Sequence, residues 1–555
     1  MPPQREERLP DGPKTKALAG WKRCLPFYVY KRRNGWKLHV SPLVAVVWLA
    51  GFMVGGYLAA GTALFLNDRI RHELTGISWV DRLYPPNWPQ YRQARGRSYI
   101  EQAQASLKQG EFSKAFHQLR AGTARFPEHL EGRLLLGEMF NAAGRPDLAK
   151  STLLTGVEFH ATNLAYLQSM ISFLFSLQED HEVTRLARQI LPDLPPHSPE
   201  RKFVATALAN ALYFRGQFDQ SEDTLKSEEL LSNPEGRILS TKIEWDRGFP
   251  ALAQALIGQL ARDYPANQEI YRIQVRWLID QDESNTARRT SLMRRLRFPD
   301  QPQPRIDLLF AFDKADEDQS VDEEAASLLR EFGQDYAVVL QIGDFAANTG
   351  RPDLAKRILD YAEQQEMPLE GPTLMLVEAM IVSSRYEEAL AITRRVLDEN
   401  PDWQERMAPV FNGLQAICFF ALGDREDASL FLNSYLGLEA IRAENLVAVA
   451  DRLLAVGADR EARKVLAHAV SQDALNQTAL TRLIEFDLTA PDAPQLPENI
   501  ARLLTMRRTS PELLRKAYDR MGEDRFLFVV NRNHLLDQLL NSLRGTPQPQ
   551  LSETS

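Results

Sequence analysis

The chain has 555 residues, of which 25% are charged and 44% hydrophobic, and its formal net charge is −8. This length exceeds what one compact core holds, so several domains or an extended array are expected. The net negative charge counts against a general nucleic-acid-binding protein. Only two cysteines are present, Cys24 and Cys418, which excludes a disulfide framework and any CxxC metal or redox motif.

Residues 1–39 form a basic tail with ten Lys and Arg residues against three acids, which we expect to lie in the cytoplasm. Its first part is rich in proline and charge, as disordered segments are. From Trp21 to Trp36 the basic residues are interleaved with aromatic ones. This mixture suits the headgroup layer beside a membrane, and a nucleic-acid-binding patch is the rival interpretation.

Residues 40–66 contain 27 residues without a charge, more than the about 20 apolar residues that cross a bilayer. We predict a single transmembrane helix, with Ser41 as its N-cap and Pro42 at its first position. A buried globular helix and a cleavable signal peptide are the alternatives. The apolar run and the basic leader are both longer than signal peptides use, so we favour a retained signal anchor.

The Lys and Arg excess lies before the span, and the positive-inside rule then keeps the N-terminus cytoplasmic. We therefore expect a single-pass protein of the bacterial inner membrane whose C-terminal bulk is periplasmic. Three small residues four apart on one face of the span predict a homodimer contact between two such helices. The same spacing also arises by chance in spans rich in glycine and alanine. These residues are Gly51, Gly55 and Ala59.

Residues 67–95 are predicted to be a juxtamembrane linker. Their early part is amphipathic, and Trp79, Trp88 and Tyr91 are candidates for anchors at the outer membrane interface. Three prolines then end any helix and stiffen the connection. The linker would hold the rest of the chain near the membrane.

The heptapeptide GRPDLAK occurs twice, beginning at Gly144 and at Gly350. The two copies are 206 residues apart (350 − 144), close to six periods of 34, and self-similarity at such a period indicates a solenoid. Small residues recur at positions 8 and 20 of a 34-residue register, and large apolar residues recur between them. Registers begin at Gly96, Leu130, Lys202, Pro234, Tyr336, Glu370, Pro409 and Ala443.

This pattern resembles the tetratricopeptide repeat (TPR) family, in its membrane-anchored bacterial type. The resemblance implies an all-α fold, a right-handed α-solenoid of TPR-like helix pairs preceded by the single transmembrane helix. We assign residues 96–490 to the solenoid, 491–544 to a C-terminal helical cap and 545–555 to a disordered tail. The heptapeptides fall at the turn between the two helices of a repeat, so we interpret them as corners of the fold.

Two stretches, 164–195 and 266–335, fit the repeat pattern only loosely. In the second, five arginines between Arg288 and Arg297 precede seven acids between Asp313 and Glu324. These runs are either a docking surface for charged partners or two solvated or mutually attracting segments.

No catalytic motif is present: there is no HExxH, no histidine pair at metal-ligand spacing, no phosphate-binding loop and no GxSxG elbow. We therefore predict that the chain is not an enzyme and holds no cofactor or metal. The resemblance implies instead a concave groove for protein partners, lined by the first helix of each repeat. The alternative is that these positions are only a solvated helix face, because such a face has the same mixed polar composition. Residues mapped to the groove are Arg97, Gln104, Glu138, Asn141, Asn210, Lys242, Asp344, Glu378 and Asp451.

The leading hypothesis is a membrane-anchored TPR scaffold that assembles or stabilises an envelope complex, for example one for secretion or polysaccharide export. Its partners would be other proteins and, through residues 40–66, the lipid bilayer, with no nucleic acid. One alternative is an enzyme whose site lies in the groove or cap, which a pocket of acids with burial-shifted pKa values would favour. Another is a cytoplasm-facing assembly adaptor, which requires the charge rule to fail.

Overall fold

The structure is a computed structural model that describes residues 27–32, 35–438, 441–491 and 493–543. The predicted disordered tail at 545–555, the first part of the basic tail and Cys24 lie outside these residues. The chain forms two compact units, residues 1–173 (unit 1) and 174–555 (unit 2). Each unit is described by itself.

Unit 1 begins with a short antiparallel hairpin that the sequence analysis did not predict. Strand β1 (Phe27–Arg32) pairs with β2 (Gly35–Val40), with Phe27 opposite Val40. Asn34 followed by Gly35, between runs of aromatic and β-branched residues, is a strong hairpin-turn signal. Within the described part of the basic and aromatic stretch, residues 27–32 and 35–40 are therefore paired strands.

Helix α1 (Pro42–Leu66) is the candidate membrane span. Pro42 occupies the first turn, as predicted, although the Ser41 side chain makes no capping hydrogen bond. A π-helical turn, Asn67–Arg71, continues it, and together they form one helix long and apolar enough to cross a membrane by length and composition. None of the span's apolar window is buried.

The predicted linker is helical and joined by polar contacts. Asp68, which is 4% exposed, accepts a hydrogen bond from the Tyr91 hydroxyl at 2.8 Å and forms an ion pair with Arg95 at 3.0 Å. Tyr91 is buried, so its predicted role as an interfacial anchor is wrong, whereas Trp79 and Trp88 are exposed. The remaining helices of unit 1 are α2 (Trp79–Leu83), α3 (Trp88–Lys108), α4 (Phe112–Arg125), α5 (Leu130–Ala142), α6 (Pro146–Leu154), α7 (Val157–His160) and α8 (Leu164–Ser176), which crosses into unit 2.

Unit 2 continues as an array of helix pairs. Its helices are α9 (Asp180–Ile190), α10 (Pro199–Phe214), α11 (Phe218–Ser227), α12 (Pro234–Asp246), α13 (Pro250–Asp263), α14 (Gln268–Asp280), α15 (Ser284–Arg297), α16 (Gln303–Lys314), α17 (Asp318–Phe332), α18 (Tyr336–Asn348), α19 (Pro352–Gln364), α20 (Glu370–Val382), α21 (Tyr386–Glu399), α22 (Pro401–Arg406), α23 (Ala408–Leu422), α24 (Arg425–Leu436), α25 (Ala443–Ala455), α26 (Asp459–Gln472), α27 (Gln477–Thr489), α28 (Leu496–Thr505), α29 (Pro511–Gly522) and α30 (Arg532–Leu543).

Most consecutive helices within each unit pack as neighbours, and the predicted all-α solenoid of TPR-like helix pairs after one long apolar helix is confirmed. Five register starts are the first residues of helices: Leu130, Pro234, Tyr336, Glu370 and Ala443. The register start at Gly96 instead lies inside α3, which begins at Trp88. The loosely fitting stretch 266–335 folds as the helix pairs α14–α15 and α16–α17, and the stretch 164–195 contains the helices α8 and α9.

The small residues at positions 8 and 20 lie where paired helices meet. Ala103 of α3 and Ala115 of α4 are fully buried, as are Ala450 of α25 and Ala462 of α26. Because helix pairs approach closely only where side chains are short, a larger residue would separate them. The predicted structural role of these positions agrees with their burial.

The two heptapeptides form corners with different contacts. Gly144 and Gly350 have positive φ angles of 70° and 66°, and the prolines that follow begin α6 and α19. In the first copy Arg145 pairs with its neighbour Asp147. In the second, Arg351 reaches back to Asp313 and Asp318 of the preceding pair, at 2.8 and 2.6 Å. The repeated sequence therefore stabilises turns, and its arginine also ties neighbouring repeats together.

Two ion pairs join the basic and acidic runs of residues 288–324, and three other acids of the acidic run pair instead with Arg351 and Arg357. Arg288 contacts Glu317, and Arg295 lies 2.7 Å from Glu324. Arg305, which is 2% exposed, bonds both Glu324 and Glu331. Mutual attraction between the two runs describes the Arg288–Glu317 and Arg295–Glu324 pairs.

Candidate protein-binding groove in unit 2

The first helices of successive pairs in unit 2 line three cavities. Cavity A, of about 390 Å³, lies along α10, α12 and α14; cavity B, of about 490 Å³, along α14, α16 and α18; cavity C, of about 440 Å³, along α18, α20, α23 and α25. Arg272 and Arg276 line both A and B, and Asn348 lines both B and C. The three cavities therefore form one continuous surface, which we call the groove.

Cavity A is built around aromatic rings. Trp245 of α12 and Trp277 of α14 stack in parallel, with ring centroids 4.4 Å apart. Tyr213 and Phe214 of α10 complete the aromatic lining. Such rings supply a large apolar area with little side-chain entropy to lose on binding, which is why they recur at binding hot spots.

The polar groups of cavity A are mostly matched. Lys242 lies 3.3 Å from Glu269 across α12 and α14. Burial raises the pKa of Asp246, opposed by the hydrogen bond from the Tyr213 hydroxyl and by the charge of Arg508. Burial and the same carboxylate also raise the pKa of Tyr213. The bond and the facing charge make Asp246 part of a structural network.

Cavity B connects the other two. Phe310 of α16 meets the buried Phe345 of α18 edge to face, with centroids 4.9 Å apart. Arg276 and Asp313 also line it, and Asp313 accepts from Arg351 of the second heptapeptide. One wall of the groove is therefore fixed by the corner of a neighbouring repeat.

Cavity C combines eight apolar residues with acidic and basic groups in its lining. Burial raises the pKa of the half-buried Glu378, while Arg452 lowers it and Asp344 raises it further. Tyr435 of α24 lines the same cavity and is 2% exposed. The apolar lining residues are Leu374, Ile381, Val410, Leu414, Ile417, Ile441, Ala448 and Val449.

The loop after α28 returns to the first helices of unit 2 and binds them. Arg507 forms a two-pronged ion pair with Asp180 of α9, at 2.8 and 2.9 Å, and Asp180 is 1% exposed. The Arg507 guanidinium also lies 4.1 Å from the centre of the Phe214 ring and donates to the carbonyl of Phe175 at 3.1 Å.

Arg508 makes a second set of contacts beside the first. Its backbone N–H donates to the Phe214 carbonyl at 2.7 Å, and its guanidinium donates to the Asp246 carbonyl and lies 4.5 Å from the centre of the Phe218 ring. Arg215 donates in turn to the carbonyl of Met506 at 3.1 Å. We call these contacts of residues 505–508 with residues 175–246 the closure contact. It abuts cavity A through Phe214 and Asp246.

The nine residues mapped to the groove from sequence are distributed as follows. Lys242 lines cavity A, and Asp344 and Glu378 line cavity C. Asn210 bonds within α10, and Asp451 lies 3.4 Å from Arg482. The four in unit 1 lie on α3 and α5: Arg97, which faces the Phe126 ring, half-buried Gln104, and the exposed Glu138 and Asn141.

Sequence reasoning missed the tryptophan stack and the closure contact. Trp245 and Trp277 lie 32 residues apart (277 − 245), close to the repeat period, so the spacing could have indicated that they meet. Nothing local marks Arg507 and Arg508 as partners of residues about 300 positions earlier. Gly51, Gly55 and Ala59 lie on exposed α1, with nothing within 4 Å of a Cβ placed at either glycine.

Within the part of the chain that the structure describes, no group of three or more His, Cys, Asp or Glu side chains could hold a metal ion. Cys418 is buried on α23, and burial raises its pKa to about 12, so its thiol is neutral at physiological pH. The acids with raised pKa, Asp246 and Glu378, each face an arginine. Because an arginine facing each carboxyl stabilises its ionised form, these pairs favour a binding surface over a proton-transfer site.

These features define the class: an all-α solenoid of TPR-like helix pairs with an aromatic and apolar groove. No family model matches the chain, and no curated protein does. The solved structures similar to it include the following three. One is an Naa15/Naa10 complex bound to HypK-THB (13% identity, 89% of this chain and 80% of that one, TM-score 0.27). The others are the APC/C hetero-tetramer Cut9–Hcn1 (12%, 88% and 95%, 0.30) and PilF of Pseudomonas aeruginosa (15%, 46% and 99%, 0.27). At these TM-scores the likeness carries no functional argument.

Proposed function

We propose that this chain is a membrane-anchored scaffold whose repeats bind protein partners in the groove of unit 2. The observation that carries the proposal is the continuity of the groove across α10 to α25, through lining residues shared between adjacent cavities. Stacked aromatic rings and an apolar cavity supply buried contact area, and paired charges at the edges supply orientation. An extended or helical partner segment is the ligand that such a surface fits.

The proposed location is the bacterial inner membrane, with the N-terminus cytoplasmic and the repeats periplasmic. An apolar helix with an exposed surface and the Lys and Arg excess before it support this orientation. Its biological role would be to assemble or stabilise an envelope complex, for example one for secretion or polysaccharide export. A homodimer through Gly51, Gly55 and Ala59 would double the number of grooves per assembly.

Site-specific photo-crosslinking in cells tests the groove. A photoreactive residue replaces Lys242 or Asp344, which lie on first helices. In the matched controls the photoreactive residue instead replaces Ala255 or Lys356, which are exposed on second helices. The proposal predicts that partner adducts form from the first-helix positions and not from their controls. Equal adducts from both, or adducts from the second helices alone, would refute groove binding.

A reporter active only outside the cytoplasm, fused after residue 70, tests the orientation. The proposal predicts activity from this fusion and none from a fusion before residue 40. A cytoplasmic result for both would favour the alternative, an adaptor that faces the cytoplasm. The photo-crosslinking result is independent of this one, so location and binding are tested separately.

A further inference from the structure

A fourth cavity in unit 2, of about 320 Å³, lies beside the closure contact, and we call it cavity D. Arg215, Arg507 and Arg508 all line it, together with polar and apolar residues of α28, α29 and α30. No Asp or Glu is among the described residues that line it. An opening with three cations and no acid in its lining favours a negatively charged ligand.

One of the three charges is matched by a carboxylate, and two are not. Arg507 is held by Asp180, as described above. The side chains of Arg215 and Arg508 donate only to main-chain carbonyl oxygens, and no carboxylate of the described residues lies within ion-pair distance of either. Burial lowers the pKa of Arg508 and the charge of Asp246 raises it, but Asp246 lines cavity A and not cavity D.

Both unmatched guanidinium groups keep N–H donors for a ligand. The carbonyl bonds use Nη1 of Arg215 and both Nη atoms of Arg508. Nε of each residue and Nη2 of Arg215 therefore have no partner among the described residues. None of these three atoms is among the fully buried polar atoms that lack a partner, so each keeps accessible surface.

Gly216 brings the two unmatched arginines to the same cavity. It follows Arg215, has a positive φ of 72° and lines cavity D. A Cβ at this position would lie 2.8 Å from Cδ of Arg508. Because the glycine has no side chain, Arg508 can pass close to the end of α10, where Arg215 begins the turn.

We propose that cavity D binds a phosphate group between the guanidinium groups of Arg215 and Arg508. Arginine holds phosphate oxygens through short, charge-assisted N–H···O bonds, and a dianion matches the two charges that have no carboxylate partner. A carboxylate brings one charge and two oxygens, so it is the weaker ligand. The volume of cavity D also admits a small organic ester on the phosphate.

The bound anion joins the end of α10 to the loop after α28, and it therefore stabilises the closure contact. This site goes beyond the scaffold function and does not depend on groove binding.

Phosphorus NMR on the full chain tests the site. The chain is purified in a non-ionic maltoside detergent, which carries no phosphate, and inorganic phosphate and glycerol 3-phosphate are titrated at constant ionic strength near pH 8, where both are mainly dianions. Saturable binding of either probe supports the site and shows whether the phosphate is taken free or as an ester. Sulfate should displace the probe with similar affinity, because the lining has no carboxylate to accept a phosphate proton, and acetate should be at least about 10-fold weaker.

Thr509 offers a matched pair of variants, because it lines cavity D and its side chain makes no hydrogen bond to another described residue. Thr509→Glu places a carboxylate beside the arginines and should weaken phosphate binding at least about 10-fold. Thr509→Gln has nearly the same shape without the charge and should stay within about 3-fold of the wild type. Hydrogen exchange of α28 without phosphate checks that both variants keep the closure contact.

The same exchange measurement tests the link to closure. Phosphate at about ten times its Kd should slow exchange of the α28 amides about 10-fold in the wild type, because it binds the closed form, and should not do so in Thr509→Glu. Binding that leaves α28 exchange unchanged would overturn this link.

Three results would overturn the phosphate site itself. These are no saturable binding of either probe, displacement by acetate as strong as that by sulfate, and equal phosphate affinities in Thr509→Glu and Thr509→Gln. Photo-crosslinking from Lys242 reports on the groove independently. Failure of the phosphate site is therefore distinguishable from failure of the scaffold function.

Discussion

The closure contact gives the sharpest quantitative prediction. Arg507→Ala removes the guanidinium that pairs with Asp180, whose side chain is 1% exposed whereas that of Arg507 is 24% exposed. The buried carboxylate then has no charged partner, and breaking a buried ion pair on one side costs about 3–5 kcal/mol. Because Arg507 is partly solvated, we expect a loss near the lower end, about 3 kcal/mol.

The double variant separates pairing from packing. Asp180→Leu combined with Arg507→Met removes both charges and should recover most of the loss, since hydrophobic replacement of a buried pair is often close to neutral. Arg507→Lys should fall between wild type and alanine, because lysine keeps the charge but loses the two-pronged geometry and the stacking on Phe214. The predicted order of stability loss is therefore largest for Arg507→Ala, intermediate for Arg507→Lys and smallest for the double variant.

Hydrogen exchange of the α28 amides is the assay, since a repeat array opens locally and global unfolding would hide the effect. Arg502→Ala, on α28 itself, is the matched control, because the Arg502 pair with Glu498 is solvated and 3.5 Å long. We expect faster exchange in α28 for Arg507→Ala and little change for the control. Equal exchange in the two variants would refute the closure contact.

Three further predictions concern stability. Tyr435→Phe should leave the thermal midpoint unchanged or raise it, because a buried hydroxyl without a protein partner contributes no stabilising bond; a clear fall would show a hidden partner. Since the folded pKa of Glu378 is raised, stability falls as pH rises from the unfolded pKa towards the folded pKa, and Glu378→Gln should flatten this decline in pH-dependent denaturation. A decline as steep as in the wild type would contradict this. Gly144→Ala should cost about 1–2 kcal/mol from its positive φ alone, and Gly350→Ala more, because its Cβ would also lie 2.9 Å from Val382; equal losses in denaturant titrations would refute the added clash.

Much of the fold was predictable because each helix pair is encoded locally. A helix start at Pro234 and small residues at Ala103 and Ala115 need only short-range sequence, so the registers located the pairs. The pairing of β1 with β2 is not predicted, because the charge and aromatic content of that stretch indicate a membrane-proximal segment, although Asn34 followed by Gly35 in the sequence favours a turn. The α3 start was also missed, because Pro89 was interpreted as a helix stop and instead lies in the first turn of the helix.

The groove was harder to predict because cavities depend on how successive pairs are rotated. Lys242, Asp344 and Glu378 line cavities, whereas residues at the same repeat positions in α3 and α5 do not line the cavities described above. The closure contact joins Asp180 to a residue 327 positions later, and no local pattern encodes such a pairing. The repeat pattern predicts which face binds, but the depth of the groove follows from tertiary packing.

Binding of a protein partner by the first helices of unit 2 is the proposal on which the scaffold function depends. Its most direct test is hydrogen exchange of the full chain with and without the partner identified by crosslinking from Lys242. Groove binding predicts protection in α12, α14, α18 and α20, and little change in their paired second helices α13, α15, α19 and α21. Protection confined to the second helices, or spread evenly over both, would contradict it.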